Sequence, residues 1–167
     1  VGITRDDPRY FAASILNNVL GDGMESRLMQ EVRERRGLTY GIGTYLVPRD
    51  LSEMILGSFA SSNATMAEAI EVVRAEWARI ASEGITQEEL DFAKTYMTGE
   101  YPLRFDGNAA IAEILVGMQM VGLPADYVIH RNDYVNAVTL DEVNQVAREI
   151  YHPDQLHFVV VGQPAGL

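Results

Sequence analysis

Apolar positions recur at helical spacing through most of the chain. Phe11, Ile15, Leu16, Val19 and Leu20 fall on one stripe of a helix that opens at Asp7-Pro8 and stops at Gly21. Leu28, Met29 and Val32 mark a short second helix over about Ser26 to Arg36, with Gly37 as its stop. The period then changes. Tyr40 to Val47 reads as a strand and Glu53 to Ala60 as its neighbour, with Pro48-Arg49-Asp50 as the turn between them. A long helical block follows. Its first helix opens on the capping box Thr65-Met66-Ala67-Glu68, buries Met66, Ile70, Val73, Trp77 and Ile80, and ends at Gly84. Thr86 to Glu89 is a second box, leading into Leu90, Ala93 and Met97, and Pro102 and Gly107 mark breaks. Ile111, Ile114, Leu115 and Met118 form another helical face, ended near Gly122-Leu123-Pro124. One more helix starts at about Asp126. A third box, Thr139 to Glu142, introduces Val143, Val146, Ala147 and Ile150, and Leu156 to Val161 closes the chain as a buried strand.

Helices and strands are therefore segregated. The expected class is α+β, with an antiparallel or mixed sheet and helices packed on one face. Three strands make a marginal sheet beneath so large a helical layer. Val1-Gly2-Ile3 is accordingly expected to be the stub of a truncated first strand. No linker of low complexity and no internal repeat divides the 167 residues, which are read as a single domain.

Composition narrows the function. Thirteen Lys and Arg against 24 Asp and Glu leave a net charge of −11, which disfavours nucleic acid and anionic membrane surfaces as partners. The longest apolar stretch, Ile111 to Val121, is interrupted by Glu113 and Gln119 and falls short of the roughly 18 residues of a membrane span. No charged-then-apolar leader is present, and Val1 in place of Met is consistent with removal of one. The chain has no cysteine, which excludes disulfides, thiolate metal sites and cysteine nucleophiles. A cysteine-free chain suits cytoplasm or periplasm equally.

The usual catalytic patterns are missing. A helical zinc site needs two histidines one turn apart with a glutamate beside them. His152 and His157 are five apart with Pro153 after the first, and His130 stands alone. No serine sits in a Gly-x-Ser-x-Gly elbow, and Gly21-x-Gly23 and Gly41-x-Gly43 lack the third glycine of a dinucleotide fingerprint. Gly41 and Gly43 instead suggest a strand that another backbone approaches closely. Arg33 and Tyr40 remain as candidates. An arginine near the end of a short helix and a tyrosine at the start of the next strand can point at one place. The competing reading treats Arg33, Arg35 and Arg36 alike, as cations complementing a helix C-terminus, and Tyr40 as an ordinary strand aromatic.

Three blocks carry a further signal: Leu20-Gly21-Asp22-Gly23-Met24-Glu25-Ser26-Arg27-Leu28, Val32-Arg33-Glu34-Arg35-Arg36-Gly37-Leu38-Thr39-Tyr40, and Gly84-Ile85-Thr86-Gln87-Glu88-Glu89-Leu90. Together they resemble the second, non-catalytic domain of the pitrilysin/insulinase-type zinc metallopeptidases, which include the mitochondrial processing peptidases. The order of elements fits over essentially the whole chain. The resemblance implies the processing-peptidase-like metallohydrolase fold. It also implies that residues 1–167 are one half of a two-domain clamp whose other half carries His-x-x-Glu-His and zinc. In that family the non-catalytic half supplies an Arg and a Tyr that hold an extended peptide beside the metal, and by resemblance these are Arg33 and Tyr40. This chain has no His-x-x-Glu-His. It is expected to bind no metal or cofactor, to be inactive alone, and to associate with a catalytic domain or subunit or with itself. The alternative is a structural scaffold subunit of the same fold without peptidase activity.

Overall fold

The computed structural model describes residues 2–49 and 52–167. Helix α1 (Tyr10–Gly21) is the hub, because its apolar stripe is wide. Ile15, Leu16 and Leu20 are fully buried, and α1 packs against one strand and four of the later α-helices. Each such side chain contributes about 1.5–3 kcal/mol by leaving water. The chain enters α1 through a turn in which the Asp7 carboxylate accepts the Arg9 backbone N–H at 2.8 Å.

Strands β1 (Ile42–Val47) and β2 (Met54–Phe59) pair antiparallel in register from Ile42–Phe59 to Val47–Met54. The turn predicted at Pro48-Arg49-Asp50 includes Asp50, which lies outside the described residues. Helix α1 packs across β1. Asn17, buried in the middle of the apolar stripe, donates to the Thr44 carbonyl at 3.1 Å and accepts the Thr44 hydroxyl at 2.9 Å. Both buried polar side chains are thereby satisfied. The approach is tight: a Cβ on Gly21 would stand 2.3 Å from Thr44 Oγ1, and one on Gly43 would stand 3.3 Å from the Gly21 carbonyl oxygen. Gly43 thus has the close neighbour expected of it, whereas nothing lies within 4 Å of a Cβ on Gly41.

The helical layer comprises α2 (Met66–Glu83), α3 (Gln87–Glu100), α4 (Asn108–Met120), α5 (Tyr127–Ala137) and α6 (Leu140–Ile150). The fold is α+β. Capping boxes open α3 and α6, where Thr86 and Thr139 accept the Glu89 and Glu142 N–H groups and the glutamates return to the threonine N–H. The box predicted at Thr65 does not form. Thr65 already has helical backbone angles, and its hydroxyl bonds Ser61 and Ser62 at 2.8 and 2.7 Å instead. Trp77 of α2 packs on Tyr151 with ring centroids 4.7 Å apart, closing the core between α2 and α6.

Three further expectations need correction. Of the predicted α4 face only Met118 is buried, and Leu115 is exposed. Helix α4 packs mainly on a 3-10 turn (Tyr101–Phe105) and stands off from the core, so its apolar side lines a cavity instead of filling it. The segment Leu156 to Val161 is extended, but it joins no ladder among the described residues. Its side chains alternate as a strand's do. Leu156 and Phe158 turn inward, with the Arg74 guanidinium 4.8 Å over the Phe158 ring, while Val159 and Val161 are 93% and 95% exposed. A cavity of about 230 Å3 bounded by Ile55, Leu56, Leu156 and His157 separates this segment from β2. Apolar alternation supplied the expectation, but a strand also needs a neighbouring backbone to pair with. Of the expected first strand, Val1 lies outside the described residues. Gly2 and Ile3 are not in a ladder, although a Cβ on Gly2 would come 2.2 Å from the Met54 nitrogen.

Candidate functional site

The second helix differs from the regular α-helix expected. After one turn it widens into a π-helix over Met29–Glu34. The Arg35 N–H reaches back five residues to the Gln30 carbonyl at 2.9 Å. The three arginines differ in their partners. Arg35 and Arg36 both pair with the Glu31 carboxylate, and Arg36 also donates to the Glu31 carbonyl at 2.9 Å. The Arg36 hydrogen bond, followed by the charge of Arg35, holds the Glu31 carboxyl below the usual range against the opposing effect of burial. Arg33 shares none of these contacts with Glu31. Its Nη1 donates to Met24 Sδ at 3.5 Å, its Nε lies 3.4 Å from Glu34, and its guanidinium carbon stands 5.2 Å from the centroid of the Tyr40 ring. The structure therefore brings Arg33 and Tyr40 together and separates Arg33 from its neighbours. The three arginines have different partners, although Arg33 also lies in the last turn of the helix.

The backbone carrying Tyr40 is anchored. Gly37 adopts a positive φ of 63°, and its N–H closes on the Arg33 carbonyl at 2.8 Å. The Thr39 hydroxyl donates to the Ala60 carbonyl at 2.7 Å, and the Ser61 hydroxyl to the Leu38 carbonyl at 2.6 Å. These bonds tie residues 38–41 to the end of β2. Tyr40 itself is 89% exposed. A large aromatic held on a fixed backbone, in water, and stacked by a cation offers a planar surface and a phenol donor beside a guanidinium. Such donors suit peptide carbonyls.

The sequence reading assigned no role to Arg27. Its side chain is only 11% exposed. Arg27 Nε and Nη2 donate to Glu89 Oε1 and Oε2 at 2.7 and 2.8 Å, and Nη2 also donates to the Gly84 carbonyl at 3.0 Å. The pair locks the base of the Arg33 helix to the turn between α2 and α3. A signal was present, because Arg27 and Glu89 both stand inside the quoted motif blocks.

The histidines do not form a zinc site. His130 is exposed, 3.7 Å from Asp133. His152 and His157 share the cavity beside Trp77, where no carboxylate joins them. Among the described residues no three metal-ligating side chains gather. The residues present do not fit zinc.

Residues 1–97 match the family model described as the peptidase M16 inactive domain, and the chain belongs to that family of non-catalytic domains from zinc-protease-like proteins. An uncharacterized zinc protease of Streptomyces coelicolor is 32% identical over 157 residues, covering 89% of this chain and 32% of that protein. The uncharacterized zinc protease YmxG of Bacillus subtilis is 30% identical over 159 residues, covering 92% and 37%. A crystal structure of a peptidase M16 inactive domain from Pseudomonas fluorescens superposes with a TM-score of 0.81 at 31% identity, over 93% of this chain and 37% of that one. The chain thus spans about a third of the length of these relatives, from 32% to 37%. The family and fold expected from the motif blocks are those found.

Proposed function

We propose that this chain is the substrate-gripping half of a zinc metalloendopeptidase. Residues 1–167 would act as one wall of a chamber. A catalytic half carrying His-x-x-Glu-His, in the same polypeptide or in a separate subunit, would hold the zinc. The observation that supports this most is the Arg33–Tyr40 pair, a cation and an exposed phenol on an anchored platform. Their task is to bind and orient an extended peptide by donating to its carbonyl oxygens. A charged donor aimed where negative charge develops also favours the transition state. Neither side chain can activate water by itself, so the chain alone is proposed to be inactive.

The scaffold reading retains one observation in its favour: Arg33 already contacts Tyr40, Met24 and Glu34 within the chain. One experiment separates the two. In the protein assembled with its catalytic half, Arg33→Ala should lower kcat/KM for peptide cleavage by roughly ten- to a hundredfold, the value of a charge-assisted hydrogen bond. Arg35→Ala, which loses only a contact to Glu31, should leave cleavage within about twofold of the parent. Equal losses in both variants, or an assembled protein without peptidase activity, would favour the scaffold.

A further inference from the structure

We propose a second binding site, independent of Arg33 and Tyr40, for a carboxylate carried on an apolar body. The site is a solvent-open cavity of about 570 Å3 bordered by α1, β1, α3, α4, α5 and the 3-10 turn. Neither Arg33 nor Tyr40 lines it. Its volume lies within the ~300–1,000 Å3 usual for ligand pockets.

The charge of its wall runs against that of the molecule. The chain has 24 acidic and 13 basic residues, yet Arg5, Arg104 and Arg131 face this cavity with Asp22 as the one acid among the described lining residues. Arg131 is half-buried, and burial depresses its pKa. Its Nη1 is occupied by the Met97 carbonyl at 2.6 Å and by Asn132 Oδ1 at 3.0 Å. Among the described residues its Nε and Nη2 make no hydrogen bond, and no carboxylate pairs with it. Arg5 likewise has no carboxylate partner among the described residues. A half-buried guanidinium without a paired carboxylate loses part of its hydration, and an entering anion would offset that cost. Arg104 is held by Glu100.

Aromatic rings hold the cations in place. Arg131 stands 4.6 Å over the Tyr101 ring and Arg5 stands 5.2 Å over the Tyr10 ring. Tyr127 also lines the cavity, and burial raises the pKa of both Tyr101 and Tyr127, so their phenols remain neutral donors. Phe11, Ile114 and Met118 add an apolar side to a wall that also includes Ser14 and Asn17. Guanidinium forks beside phenol donors match the two oxygens of a carboxylate, and the apolar wall matches a hydrocarbon or aromatic body. A peptide C-terminus and a small aryl carboxylate share this chemistry.

Calorimetric titration of the full chain tests the site with four probes: hippurate, hippuramide, N-acetyl-Ala-Ala-Phe and its C-terminal amide. At least one free acid should bind, and its amide should bind at least tenfold more weakly. Preference for the peptide acid assigns the source as a peptide C-terminus, and preference for hippurate assigns it as a small acid. Arg5→Gln and Arg104→Gln, both at exposed positions, should each weaken the acid by roughly tenfold. Asp22→Asn removes the like charge and should tighten it. Circular dichroism of each variant confirms that the fold is kept. The proposal is overturned if no acid binds at millimolar concentration, if acid and amide bind equally, or if the arginine and Asp22 variants do not move affinity in opposite directions.

Discussion

Arg27 and Glu89, 62 positions apart, meet in a two-point ion pair at 2.7 and 2.8 Å, and the same Glu89 carboxylate completes the capping box of α3. One carboxylate therefore serves two purposes. It starts a helix, and it fixes the base of the helix that carries Arg33. Burial alone would raise the Glu89 pKa. The Arg27 side-chain hydrogen bonds and the Thr86 backbone N–H outweigh it and hold the carboxyl below the ordinary value.

A depressed carboxyl pKa contributes stability that is present above the unfolded-state value, about 4.3, and is lost as pH falls through the lower folded value. Glu89→Gln should therefore flatten the acid limb of the stability profile. In urea melts the variant should be weaker than the parent by about 1.5–3 kcal/mol at pH 7, with the gap closing below about pH 4. A gap of constant size from pH 7 to pH 3 would show that the carboxylate is not the stabilising species.

Tyr40 offers a ring to Arg33 and a hydroxyl to whatever binds. Tyr40→Phe keeps the ring, whereas Tyr40→Leu loses both. In the assembled peptidase, Tyr40→Phe should cost less than Arg33→Ala unless the phenol meets the oxyanion, where about 2.7–4 kcal/mol is at stake. Tyr40→Leu should cost more than Tyr40→Phe, because it also releases the guanidinium. The two rate ratios, measured with one peptide substrate, apportion the ring and the hydroxyl. Stability should barely change in either variant, since Tyr40 is exposed.

Gly84 ends α2 at a φ of 71°, and a Cβ there would lie 2.1 Å from Asn144 Oδ1. That oxygen accepts the Ile85 N–H at 2.8 Å, while the Asn144 amide donates back to the Ile85 carbonyl at 3.2 Å. Gly84→Ala combines about 1–2 kcal/mol of left-handed strain with displacement of this two-bond clamp, each bond worth about 1 kcal/mol. A loss of at least 2 kcal/mol in denaturant melts is expected. Asn144→Ala, which removes the clamp without the strain, should cost less.

Thr139 and Thr65 stand at similar places in sequence and at different places in energy. Thr139→Ala removes a working cap from α6 and should cost about 1 kcal/mol. Thr65→Ala removes only hydroxyl contacts to Ser61 and Ser62, and should cost under about 0.5 kcal/mol. Thermal melts of the two variants side by side give the comparison; equal losses would mean that the α6 box adds nothing.

Much of the molecule could be read from local pattern. The helices bury the residues their 3.6 period assigns, as with Leu16 and Leu20 in α1 and Val143 and Val146 in α6, because burying one stripe is a property each helix carries along its own length. The two strands lie within the spans their alternation assigned, at Ile42–Val47 and Met54–Phe59, and the three motif blocks identified the family. Pattern failed where an element needed something distant. Leu156 to Val161 alternates like a strand but pairs with no backbone among the described residues. The α4 face has the right period but faces a cavity, because packing against the core depends on where the 3-10 turn aims it. Arg27 and Glu89 both stand inside motif blocks, but nothing in the local pattern pairs them across 62 positions. The different partners of Arg33 and of Arg35 and Arg36 depend on where Met24, Tyr40 and Glu31 come to lie. Periodicity and capping are short-range consequences of backbone geometry. Ion pairs, cavities and sheet edges arise only once the chain has brought distant segments to the same place.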